Sequence, residues 1–320
     1  MKTAPLDQQR LDLIARVARL YHEEGRNLRE IGAKLSISPS TVSRLLAEAH
    51  ELRIVEVVIR YPLLTDSPLG KELRDRLRLK AAYVLPQVRG TYDGMIDRLA
   101  QIAARTLEDA LEDGMTLGIS LGRAVAATAR AFKISQAIRC KVIRLQGANK
   151  DELLEGTDLA QIFSVHLGGE FKIIPSPWIL KSTEACELIL QEPSVRDVIH
   201  EAENTDIGLV GMGSMDPEVS TIFRNKLISI RELRALRDLG AVGDICGKYY
   251  DLSGNVLDVD FNRRTVSIDI EKLRLVDTVI GVAAGPSKVT AILGAIHGRL
   301  INVLITDSEA AMLLLEQNGR

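Results

Sequence analysis

The sequence has few cysteines, few aromatic residues and no long apolar run, and each scarcity removes a class of protein. Its three cysteines, Cys140, Cys186 and Cys246, stand far apart and make no CxxC pair. Neither a zinc-ligand pattern nor a complete disulfide framework can be built from them. Reduced, buried thiols are the reading that remains. Aromatic residues make up 4% of the chain, with a single tryptophan, so leucine, isoleucine, valine and alanine must build the core. No run reaches the ~20 apolar residues of a membrane span. The N-terminal stretch has no apolar signal-peptide core, so no membrane partner and a cytoplasmic location are expected. Strong net charge is missing too: 41 Lys and Arg face 43 Asp and Glu. The balance is uneven, however. Residues 1–60 hold ten basic and eight acidic side chains, and the remainder holds thirty-one and thirty-five. A slightly basic head on an acidic body fits a small DNA-binding unit attached to a larger domain. There is no dinucleotide fingerprint, Walker motif or internal repeat, so no cofactor and no metal are expected.

What is present begins with three helical patterns. Leu11, Ile14, Ala15, Ala18 and Leu20 recur at helical spacing over 7–24, and Gly25 stops that run. A second helix is expected from about Asn27 to Leu35, with Glu30 three residues after Asn27 at capping-box spacing. Ser38 then caps a third helix that has Pro39 at its first position. Two short helices about four residues apart, the second opening on small polar residues, form a helix-turn-helix pattern. Ser38, Ser40, Thr41, Ser43 and Arg44 are the candidate DNA contacts. Short side chains let the helix start approach the major groove, and Arg44 can reach a guanine or a phosphate. Two positions are atypical: Gly32 stands where alanine is usual, and Ser36 stands in a turn that usually carries glycine. The β-branched run Ile54 to Tyr61 reads as a strand, serving as a wing or an arm. Residues 1–60 are thus read as a DNA-binding domain, 61–68 as a Pro-containing linker and 69–320 as the body.

The body alternates strand-like and helix-like segments. Strands are expected at Ala82–Leu85, Thr116–Ile119, Lys141–Leu145, Phe171–Ile174, Asp206–Val210, Ala241–Ile245, Val276–Val282 and Ile301–Thr306. Such alternation implies an α/β fold, a Rossmann-like, mostly parallel sheet covered on both faces. Glycines cluster at three strand ends: Gly118 to Arg123, Gly208 to Ser214 and Gly281 to Lys288. Backbone amides at such ends attract anions, and ligands of open α/β sheets collect at the carboxyl ends of the strands. One anionic small-molecule pocket is expected from Ser120, Gly122, Gly213 and their neighbours. Arg123 and Lys288 would neutralise the anion, and Asp244 would accept hydroxyl hydrogen bonds. Each glycine taken alone is as readily a tight turn. Gly118-Ile-Ser120-Leu-Gly122 also matches a nucleophile elbow, but none of the five histidines has a catalytic setting.

Together these segments resemble the SorC/DeoR-type sugar-responsive regulators of bacteria. The resemblance rests on Tyr21-His-Glu-Glu-Gly25, the 28–46 segment, Leu52 to Val57, Gly118 to Arg123, Leu145-Gln-Gly147, Gly240 to Gly247, Gly285 to Lys288 and Leu304 to Ala310. Beside the (winged) helix-turn-helix read above, it implies an effector domain similar to sugar-phosphate isomerases and deaminases, turned from catalysis to sensing. It also implies a homo-oligomer (a tetramer, as a dimer of dimers), operator DNA and a sugar, polyol or sugar-phosphate effector. Carried over residue by residue, Gly147, Asn149, Asp244, Gly285 and Lys288 form the pocket. The loop Gly147 to Lys150 departs from the family pattern, although Ala148 would still offer its amide. Gln146 stands where some members carry an imine-forming lysine. The alternative function is a sugar-phosphate isomerase or deaminase using Asp244 or Asp307 as base. A binding scaffold whose head only dimerises is a third reading.

Overall fold

The computed structural model describes residues 8–52, 54–55, 67–86, 91–134, 138–148 and 158–318. The chain divides into two compact units, Met1–Arg60 and Tyr61–Arg320.

The head is built from α1 (Gln8–His22), α2 (Leu28–Leu35) and α3 (Pro39–Glu51). Asn27 caps α2 in a capping box: its side chain accepts the Arg29 and Glu30 amides, and Glu30 accepts the Asn27 amide. Ser38 caps α3 by accepting the Thr41 amide at 3.1 Å. Between them Ser36 takes the left-handed conformation, with φ 55° and ψ 40°. Ile14, Val17, Leu20, Ile31, Val42, Leu45 and Ala49 close the core of the head. Each large aliphatic side chain buried there contributes about 1.5–3 kcal/mol. The strand expected over 54–61 lies mainly outside the described residues, as does most of the 61–68 linker.

The body opens with α4 (Pro68–Leu77) and β1 (Ala81–Leu85), then α5 (Tyr92–Ala110), β2 (Thr116–Ile119), α6 (Arg123–Ala131) and β3 (Lys141–Arg144). It continues with α7 (Leu159–Leu167), β4 (Phe171–Lys172), α8 (Thr183–Gln191), α9 (Pro193–Ala202) and β5 (Ile207–Gly211). Next come α10 (Thr221–Arg224), α11 (Ile230–Asp238), β6 (Gly243–Ile245), β7 (Lys248–Tyr250) and α12 (Asp260–Arg263). The chain finishes with β8 (Thr278–Val282), α13 (Val289–His297), β9 (Val303–Asp307) and α14 (Ser308–Asn318).

Seven strands form one parallel sheet in the order β1-β9-β8-β5-β2-β3-β4. Successive residues point to opposite faces. Val303 and Ile305 join the α5–α6–α7 layer, and Leu304 joins the layer of α4, α13 and α14. Helices on both faces explain why the central strands read as continuous apolar runs. Residues 241–245 depart from expectation. Only Gly243–Ile245 form a strand, β6, which pairs antiparallel with β7 in a separate hairpin. A short apolar run does not reveal its pairing partner.

Strand order reverses at one place. From β2 the chain proceeds to β3 and β4 on one side; from β5 it proceeds to β8 and β9 on the other. The β2–β5 pair is therefore the switch point, where the outgoing connections part and leave a crevice beyond the strand ends.

Candidate functional site

In the head, Ser38, Ser40, Ser43 and Arg44 are exposed and Thr41 is half-buried. Ser40, Ser43, Arg44 and Ala47 follow i, i+3, i+4, i+7 spacing, so they share one face of α3 opposite the buried Val42–Leu45–Ala49 stripe. The hydroxyl of Ser38 lies 2.8 Å from those of Ser40 and Thr41. Arg44 makes no hydrogen bond or ion pair among the described residues. A glycine matters at position 32. A Cβ there would lie 2.7 Å from the Ile37 carbonyl oxygen, so glycine lets the turn close onto α2.

In the body, a cavity of 360 Å³ opens beyond the ends of β2 and β5. Its walls bring together Gly122, Arg123, Gly213, Asp244 and Lys288 from the sequence-derived set. Asp244, at the centre of β6, is 6% exposed. Its carboxylate lies against the backbone of Gly213: a Cβ at 213 would sit 1.6 Å from Asp244 Oδ1. One carboxylate oxygen accepts the Gly247 amide at 3.3 Å. Burial pushes the Asp244 pKa up to about 6, partly opposed by the Lys288 charge and the Gly247 hydrogen bond. Lys288, on the short turn Pro286–Lys288 after β8, is 8% exposed and donates to the Met212 carbonyl at 2.7 Å. Burial lowers its pKa to about 8, with Asp244 opposing. The two charges feel one another, yet their hydrogen bonds go to backbone groups. Arg123 opens α6, with its guanidinium 4.8 Å from the centroid of the Tyr92 ring and 3.9 Å from Asp93.

The other expected positions lie elsewhere. Ser120 is fully buried, and its Oγ accepts the Gly211 amide at 3.0 Å. It ties β2 to β5 and is neither an exposed nucleophile nor a wall of the cavity. Gly285 donates its amide to Asp307 at 2.6 Å, so that N–H is spent within the protein. Gly147 is wedged against Ser176 and Pro177 and donates to Val266; its carbonyl accepts from Arg144 at 2.9 Å. The Ala148 amide, expected to be on offer, is donated to Ser176. Asn149 lies outside the described residues. Asp307 accepts from Glu309 and Ala310 as well as Gly285. Three amides hold its carboxylate at the start of α14, the bonding of a helix cap.

Sequence reasoning missed Trp178, Tyr92, Thr221, Asn225 and Cys246, all in the cavity wall. Trp178 is the sole tryptophan, and its indole donates to the Cys246 carbonyl at 3.0 Å. Its singularity, inside Pro175-Ser-Pro-Trp178, was the available signal. The others carried none, because their elements meet the cavity only after folding. Chemically the site offers one desolvated acceptor, one desolvated cation, a second cation at the rim and an indole. That set suits a small polyhydroxy compound bearing an anionic group. No group of three or more potential metal ligands occurs among the described residues.

Residues 61–316 match a family model described as "Putative sugar-binding domain". The chain is 28% identical to the deoxyribonucleoside regulator of Bacillus subtilis over 312 residues, covering 97% of this chain and 99% of that one. It is 31% identical to the transcriptional regulator LsrR of an Enterobacter strain over 313 residues, covering 96% and 94%. The full-length sorbitol operon regulator SorC of Klebsiella pneumoniae has a similar structure, with a TM-score of 0.70 at 29% identity, covering 96% and 100%. These relatives are named as regulators, one of them as a transcriptional regulator, and none is named as an enzyme. The chain belongs to the SorC/DeoR-type family of transcriptional regulators that carry a sugar-binding domain.

Proposed function

We propose that the protein is a cytoplasmic, ligand-gated regulator of a carbohydrate or polyol operon. Residues 1–60 bind operator DNA, 61–68 link, and 69–320 bind the effector and assemble the oligomer. The observation that carries the reading is that buried Asp244 and buried Lys288 line the same cavity at the switch point. Burying two charges without a direct ion pair costs several kcal/mol. A bound ligand that gives hydroxyl hydrogens to Asp244 and an anion to Lys288 offsets that cost. The relatives' names, a sorbitol operon regulator and a deoxyribonucleoside regulator, support a polyhydroxy effector. Ser38, Ser40, Thr41, Ser43 and Arg44 form the reading end of α3. Effector binding favours one arrangement of the body, and the population shift alters DNA affinity.

The test is fluorescence anisotropy on DNA from upstream of the protein's own operon, at fixed salt, titrated with sugars, polyols and their phosphates. Nanomolar binding that changes at least tenfold with one such compound is expected. Absence of DNA binding under all conditions overturns the proposal, and turnover of a sugar phosphate that is lost in Asp244→Asn establishes the enzyme instead.

A further inference from the structure

Unpaired polar atoms are uncommon inside proteins, because a desolvated donor without an acceptor costs free energy. The cavity wall contains one. Gln146 is fully buried, and its Nε2 has no hydrogen-bond partner. Its orientation is set by its neighbours. Oε1 accepts the Leu121 amide at 3.2 Å. An N–H needs an acceptor, so the amide oxygen must face Leu121 and the NH2 must face away. The backbone is fastened as well. Gln146 bridges Ser267, Leu145 donates to Ile119, and Gly147 donates to Val266. The result is a rigid donor without a protein acceptor, in the wall of the cavity that also presents Asp244 and Lys288.

We propose that the Gln146 side-chain amide determines specificity by donating a hydrogen bond to an oxygen of the effector. The inference rests on the effector reading above and narrows it. The effector must present an acceptor oxygen, carbonyl or hydroxyl, to Gln146. It must also present a hydroxyl hydrogen to Asp244 and an anionic group to Lys288. A phosphorylated sugar or polyol meets all three demands. Because an amide nitrogen forms no imine with a carbonyl, capture at this position is non-covalent and reversible. A compound lacking the oxygen leaves Nε2 desolvated and unpaired, and the site rejects it for that reason.

Two substitutions separate this role from support of Leu121. Gln146→Glu keeps an acceptor for the Leu121 amide and adds charge. Gln146→Met keeps the length, stays neutral and removes that acceptor. Loss of the amide donor is what the two share. Calorimetric titration of the full-length protein uses D-sorbitol 6-phosphate, D-fructose 6-phosphate and D-ribose 5-phosphate, with inorganic phosphate as the anion-only probe. Wild type is expected to bind at least one of the three more tightly than inorganic phosphate. Both variants should lose at least tenfold in affinity for it while keeping cooperative melting and DNA binding. Wild-type affinity in either variant overturns the inference: retention in Gln146→Glu means that Gln146 only holds Leu121, and retention in Gln146→Met means that charge alone weakened the other. If wild type binds none of the three better than inorganic phosphate, the effector reading itself fails and takes the inference with it.

Discussion

At the scale of single residues, the cavity depends on a missing methyl group. Asp244 occupies the space that a side chain at 213 would fill, so Gly213→Ala must expel the carboxylate. Effector affinity is expected to fall at least tenfold, about 1.4 kcal/mol, while DNA binding without effector persists; calorimetry and anisotropy on the same preparation check both. Asp244 also sets a pH dependence. Its folded pKa, about 6, is raised above its ordinary value. The native state therefore holds the proton more tightly than the unfolded state, and stability falls as pH rises from about 4 to about 6, by on the order of 2–3 kcal/mol. Lys288 works in the opposite direction. Its folded pKa, about 8, is lowered, so its contribution to stability rises between about pH 8 and 10.5. Denaturant unfolding of wild type and Asp244→Asn should show a difference in stability that shifts by about 2–3 kcal/mol between about pH 4 and 6, against wild type as pH rises; a difference that does not change with pH would reject the assignment. The places of Lys288 and Arg123 in the cavity wall were legible because each follows a glycine-rich strand end, whereas Asp244 reaches that wall from the centre of β6, in a hairpin outside the sheet. Ser120 misled, since its motif looks the same whether the hydroxyl faces a ligand or, as here, the Gly211 amide.

At the scale of elements, the helix-turn-helix was readable almost to the residue, because caps and helical periodicity are local. The Asn27–Glu30 box and the Ser38 cap form as their spacing requires. The two atypical residues turn out to belong to one turn. Ser36 bears a left-handed backbone, and Gly32 admits the Ile37 carbonyl that this turn brings close. Ser36→Gly should stabilise the head by about 0.5–1 kcal/mol by relieving a left-handed serine. Gly32→Ala should destabilise it, although alanine gains about 1 kcal/mol in helix propensity. Thermal melts followed by far-ultraviolet circular dichroism report both, and a Gly32→Ala protein that melts higher than wild type contradicts the close approach. On the exposed face of α3, Arg44→Ala should weaken operator binding and, if the contact is to phosphate, reduce the salt slope by about 1. Anisotropy at several salt concentrations distinguishes that from a base contact, which would relax sequence preference instead. The β6–β7 hairpin was misread for a reason at this same scale. Residues 241–245 look like any buried strand, and nothing local announces that their partner is the next strand along the chain.

At the scale of the whole molecule, a symmetric oligomer would present paired heads. Footprinting should then reveal palindromic or directly repeated half-sites, separated by whole turns of DNA. Sedimentation should show a species larger than one 35.2 kDa chain, and a strictly monomeric protein with a single half-site would refute the paired arrangement. The sequence by itself determined the helical head and the alternation that makes a parallel sheet covered on both faces. Helix caps, the 3.6-residue period and β-branched runs act over a few residues and are written in order. Tertiary structure alone decided that β2 and β5 are neighbours, that their ends form the switch point, and that Gln146 and Trp178 share a cavity with Lys288. Parallel strands choose partners through helices packed across long connections, so residues 146, 178, 244 and 288 meet by burial of apolar faces and not by any spacing in the chain. For the same reason, Gln146 could be seen as an unsatisfied donor only after its neighbours were in place.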